Sequence, residues 1–173
     1  MRIRRLPALL VLAAMLVAIP ASVAGANGAP RTTGGGSFLF LGATPNIPMQ
    51  FSFVAVQHAD GSASGRFHHF YESDGLTYEF WGTVTCVTFD AANHRAWIGG
   101  VLTKVSSTDP TVGLFAGDDA WFRVLDSPDG DRSTSMGFVG AIESSEAYCA
   151  MQIWPDGNAR THPVTQGQIK VAP

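Results

Sequence analysis

Three charged residues interrupt runs that otherwise read as apolar strand. Glu79 lies within LTYEFWGTV, Arg123 within AWFRVLD and Arg66 within ASGRFHHFYE. A carboxylate, an imidazole and a guanidinium converging in one dry pocket could serve as acid, base and anchor on a small apolar ligand. The residue types present allow one such set, Glu79 with His69 or Arg123. A charge taken inward must be paired or must touch bound polar groups. Alternation along a strand leaves each of these side chains an outward option as well.

His68 and His69 are neighbours, so on a regular strand they point to opposite faces and cannot grip one metal ion together. One of them must face the interior, and His58 lies across the same hairpin on the side of His68. There is no H-E-x-x-H, C-x-x-C, phosphate-binding loop or dinucleotide fingerprint, so neither a metal nor a cofactor is expected. Gly61 to Gly65 looks superficially like a nucleophile elbow, but its centre is Ala63. Asp126, Asp129 and Asp131 gather carboxylates, yet calcium takes six or more oxygens and Asp with Gly is ordinary turn chemistry. The aromatics Trp81, Trp97, Trp121, Phe53 and Phe67, on separate apolar runs, are the candidates to line a ligand cavity; filling a core is their other possible role.

Strands must carry these residues. Leu76 to Val105 holds two long runs rich in Thr, Val and aromatic residues around a polar break at Asp90–His94, which predicts a long antiparallel hairpin. Both of its runs are apolar on both faces near their middles, which places it centrally in a sheet. Met49–His58 and Ala63–Glu72 form a second hairpin around Asp60-Gly61. A three-residue loop with Gly61 left-handed pairs Phe53 with Phe67 and Phe51 with His69, and so keeps one face apolar. Further strands are expected at Ser37–Leu41, Ala120–Asp126, Thr134–Ile142, Ala147–Trp154 and Val164–Val171, with a loop over Ser106–Asp118. Gly99-Gly100 suggests a bulge or a close backbone approach. No stretch after residue 26 shows a helical period of useful length. The expectation is an all-β, single antiparallel meander of about eight to nine strands, with a closed barrel favoured over a two-sheet sandwich because closure removes exposed edges.

Residues 1–26 read as a secretory signal peptide: Arg2, Arg4 and Arg5, a short apolar core from Leu6 to Ile19, Pro20, then small residues that permit cleavage after Ala24 or Ala26. The apolar run is too short for a membrane span, and none follows it. Residues 27–36 read as a flexible Gly-rich lead and 37–173 as the β domain. Loss of three arginines changes Lys plus Arg from 11 to 8 against 14 acidic residues, so the mature chain is acidic and carries no basic stripe for nucleic acid. Export to a periplasmic or extracellular space favours a disulfide between Cys86 and Cys149, closing a loop of about 64 residues worth roughly 4 kcal/mol.

Gly34-Gly35-Gly36, Phe51-x-Phe53-x-Ala55, Gly65-x-Phe67, Val84-x-Cys86, Ala96-x-Ile98-x-Gly100, Phe122-x-Val124-x-Asp126 and Gly167-x-Ile169-x-Val171 together resemble a family of small exported bacterial all-β proteins. That resemblance covers nearly the whole mature chain and implies fold and export, with no activity and no functional residues attached. By architecture alone the chain is also similar to calyx-type barrels such as lipocalins and allene oxide cyclases. Three functions stay open: binding of a small apolar ligand or surface component, an isomerase or cyclase built on Glu79, His69 and Arg123, and a structural or inhibitory module that makes contact through Val112, Leu114 and Phe115. The binding reading expects an internal apolar cavity of roughly 300 Å³ or more.

Overall fold

A computed structural model describes residues 28–41, 46–138, 140 and 142–173; the expected leader lies outside these residues. The strands are β1 (Arg31–Phe40), β2 (Ile47–Gln57), β3 (Ala63–Ser73), β4 (Leu76–Asp90), β5 (Arg95–Ser107), β6 (Asp119–Leu125), β7 (Arg132–Ser133), β8 (Gly137–Phe138) and β9 (His162–Ala172). Each of β1 to β6 pairs antiparallel with the next, β7 follows β6, and β9 pairs with both β7 and β1. The ladder therefore closes into an eight-stranded barrel, with β8 added beside β6.

The β2–β3 register is the one expected: Phe53 opposes Phe67 and Phe51 opposes His69. The turn has Gly61 at φ +84°, where a side chain would be strained. Phe53 and Phe67 both meet Phe122 edge-on, at 5.3 and 5.8 Å between ring centres, and these rings plug the middle of the barrel. Glycines make room for them. A Cβ on Gly82 would lie 2.0 Å from the Phe67 ring, and one on Gly34 would lie 2.6 Å from Phe53. Arg31–Gly36, expected as a flexible lead, belong to strand β1, where Gly34 packs under the Phe53 ring across the sheet.

Two expected strands are corrected. Ser145–Met151, which overlaps the run Ala147–Trp154 expected as strand, is the helix α1, with the Ser144 side chain accepting from the Ala147 N–H as cap. Ser145, Tyr148 and Cys149 are its buried residues, the i, i+3, i+4 spacing of a helix face. Within Thr134–Ile142, only Gly137–Phe138 is strand among the described residues. α1 lies on the outside of β4, β5 and β6, and the Cys86–Cys149 disulfide ties it there. Gly99 marks the contact, since a Cβ there would meet Cys86 Sγ at 2.7 Å and Ser145 Cβ at 2.8 Å. The helix covers the outer face of β5 and β6, which accounts for their burial on both sides.

β7 is two residues long and leaves part of β9 without a neighbour on that side. Two carboxylates complete the seam. Asp131 accepts from the Ile169 N–H at 2.6 Å and Asp126 from the Val171 N–H at 3.0 Å. The Asp-rich turn is thus a closure device that substitutes for strand pairing. Burial works against the Asp126 carboxylate, but the bonds from Val171 and Lys170 outweigh it and hold the group below its ordinary range.

Candidate functional site

Beyond the phenylalanine plug, toward the end of the barrel where β3 turns into β4, the interior is not filled. A pocket of about 190 Å³ opens there, smaller than expected for a calyx. β2 contributes Met49, β3 contributes His69 and Tyr71, β4 contributes Phe80, and Ser135 and Met136 come from the segment before β8. Each strand residue is inward by alternation from the plug: His69 follows Phe67 by two, and Met49 precedes Phe51 by two.

His69 is fully buried, and among the described residues neither ring nitrogen has a hydrogen-bond partner. Its ring packs against Phe122 at 5.1 Å and Phe51 at 6.3 Å. Burial in these hydrocarbon surroundings, with a smaller push from His68, brings its pKa down to about 3, so the imidazole is neutral across the physiological range. A buried polar group without a partner costs of order 1–3 kcal/mol; besides the two His69 nitrogens, the buried Thr32 hydroxyl, opposite Ala55, also lacks a partner among the described residues. Burial, reinforced by Asp109, raises the Tyr71 hydroxyl above its ordinary pKa, so it too stays protonated.

The other expected members of the set are elsewhere. Glu79 faces outward, where its Oε1 lies 2.9 Å from His68 Nε2, and both side chains are about one-third exposed. His68 in turn stacks on Trp81, and Lys104 covers the Trp81 ring at 4.1 Å. Arg123 is also outside the barrel, buried under the chain that follows α1. Its guanidinium donates to the Ala159 carbonyl at 2.9 Å and sits 5.3 Å from the Trp154 ring centre. The acid–base trio of Glu79, His69 and Arg123 is therefore not assembled: the barrel wall separates His69 from both partners.

The tryptophans are corrected for the same reason of alternation. Trp97 and Trp121 point outward into a second apolar cluster with Tyr148, and Trp97 Nε1 donates to the Ile153 carbonyl at 2.9 Å. Trp81 is on the outer surface. Phe53 and Phe67 face inward as the plug and do not line the end pocket; with Trp81 they line a separate open groove that His68 and Lys104 also border. Of the apolar loop patch, only Phe115 is well exposed, while Val112 and Leu114 pack against the core.

Met49, Met136, Tyr71 and Ser135 were missed as site residues. Met49 was legible, because it continues the Phe51–Phe53 inward series. Met136 and Ser135 were not, since they come from a segment with little regular structure. Among the described residues no group of three or more His, Cys, Asp or Glu could hold a metal, and no helix is long and apolar enough to cross a membrane. The disulfide points to an oxidising compartment. No protein-family model, curated protein or solved structure matches the chain.

Proposed function

We propose that this is an exported binding protein that holds a small, mainly apolar ligand in the end pocket of its barrel. Residues 1–26 would direct export, and the disulfide fits the compartment the leader would lead to. One observation carries the binding reading: a fully buried histidine with two unpartnered nitrogens on the wall of an unfilled apolar pocket. A core selected only for stability has no use for this cost, because an apolar side chain of similar shape would remove it. A ligand that pairs with the imidazole gives the residue a role. The separation of Glu79 and Arg123 from His69 favours binding over catalysis.

The test is native mass spectrometry of the disulfide-bonded protein from its host, together with melting curves in the presence of one-ring compounds. A small adduct is expected, released on denaturation and absent in Ser135→Trp, which fills the pocket from its wall. Protein without an adduct, melting at an unchanged temperature with every compound, would remove the reading.

A further inference from the structure

We infer that the end pocket selects a neutral ligand of about one ring carrying a hydroxyl group, such as a phenol or cyclic alcohol, and rejects carboxylates. This rests on the binding reading above and names the class of ligand. Size sets the first limit. An apolar cavity of about 150 Å³ is enough to take benzene, and this pocket has about 190 Å³, which leaves room for a ring with one or two small substituents.

Charge sets the second. No lysine or arginine lines the pocket among the described residues. A carboxylate entering it would lose its water and meet no cation. The imidazole does not supply one, because its surroundings keep it neutral.

Hydrogen bonding sets the third. A neutral imidazole presents one N–H donor and one lone pair. Both lack partners in His69, so a pure hydrocarbon would leave the deficit untouched. A ligand hydroxyl donates to the lone pair, and Tyr71 and Ser135 also line the pocket. Aromatic side chains at Phe40, Phe80 and Phe138 give a ring its apolar contacts. Met49 and Met136 beside His69 form a set that a soft monovalent metal would also favour, so that occupant belongs among the outcomes.

Isothermal titration of the disulfide-bonded protein at pH 7 with p-cresol, toluene, p-toluate and silver(I) separates these cases. p-Cresol should bind at least about tenfold more tightly than toluene, the order of one hydrogen bond to an otherwise unpaired group, and p-toluate should not bind. In ¹⁵N spectra the unprotonated nitrogen of His69 should shift as p-cresol is added. His69→Phe should reduce p-cresol to the affinity of toluene, and His69→Gln, which keeps a donor and an acceptor, should restore part of the difference. Equal binding of toluene and p-cresol would overturn the hydroxyl requirement and leave the pocket reading standing. Tighter binding of p-toluate would overturn the charge argument. Silver(I) binding with all three organic probes silent would assign the site to a soft metal, and silence from all four probes would remove the pocket itself.

Discussion

Replacing His69 by phenylalanine should make the free protein more stable, and by more at pH 5 than at pH 7. At neutral pH the gain comes from removing two buried nitrogens that have no partner among the described residues; at about 1–3 kcal/mol for each unsatisfied group, the gain should be at least about 1 kcal/mol. The neighbouring pocket accommodates the larger ring, so overpacking does not cancel it. The pH term has a definite sign. The folded imidazole has its pKa lowered to about 3 from an ordinary 6.5. Between those values the unfolded chain binds a proton that the folded chain refuses, so stability is full above pH 6.5 and is lost as pH falls toward 3. Over the step from pH 7 to pH 5 the loss is about 2 kcal/mol, or about 6 °C in melting temperature for a domain of this size.

His69→Phe removes that slope. His162, whose pKa burial and Arg132 also lower, contributes in the same direction to both proteins and cancels in the difference. Urea unfolding of the oxidised wild type and the variant at pH 7, 6 and 5 measures both effects. A variant that is less stable at pH 7 and keeps the wild-type slope would refute the reasoning, because His69 would then be satisfied by a group not accounted for. His69→Leu repeats the test with a side chain that cannot overpack.

Asp131→Ala should cost about 1–3 kcal/mol by orphaning the Ile169 N–H; if the turn were instead a calcium site, added calcium would raise the wild-type melting temperature, and no rise is expected. Gly82→Ala should destabilise by about 1–3 kcal/mol because its Cβ lands on the Phe67 ring, and Phe67→Leu in the same chain should recover part of the loss. Replacing Cys86 and Cys149 together by alanine should cost about 2–5 kcal/mol in urea unfolding, with hydrogen exchange accelerating first in Ser145–Met151. Glu79→Gln breaks a partly exposed pair and should change stability by less than about 1 kcal/mol; loss of ligand binding in this variant would revive the discarded acid–base set.

What the sequence made legible and what it hid divide along a physical line. Period-two alternation and turn residues are local, and they correctly placed the β2–β3 register and the inward direction of Phe51, Phe53 and Phe67, while leaving open which of His68 and His69 faces inward. The closed barrel followed from the order of the strands and the need to leave no edge. Alternation alone cannot say which of its two faces is the inside when both are apolar. On β5 and β6 the outer face is covered by α1, so Trp97 and Trp121 are buried without being interior. The helix itself was hidden because its buried face is only Ser145, Tyr148 and Cys149, shorter than any window that reveals a helical period. One cue was present: Ser144 stands where a capping residue stands, ahead of Glu146 in the first turn.

The same division explains why the functional reading moved from a trio to a single residue. Glu79, His69 and Arg123 qualified by chemical type, but a barrel wall is one residue thick, and neighbours in sequence or in space can be on opposite sides of it. Glu79 is hydrogen-bonded to His68, and the Arg123 guanidinium donates to the Ala159 carbonyl. His69 has no such arrangement. A polar group held in the pocket that His69 lines would offset its cost, since the rings packed against it are Phe51 and Phe122. Two observations would therefore move together if the ligand reading holds: the occupied protein should lose the stabilising effect of His69→Phe, and the wild type should gain stability from ligand that the variant does not share. Saturating wild type and His69→Phe with the same one-ring hydroxyl compound, then comparing their unfolding free energies, measures both at once. If the variant remained ahead by the same margin with ligand as without, pairing between ligand and imidazole would be ruled out.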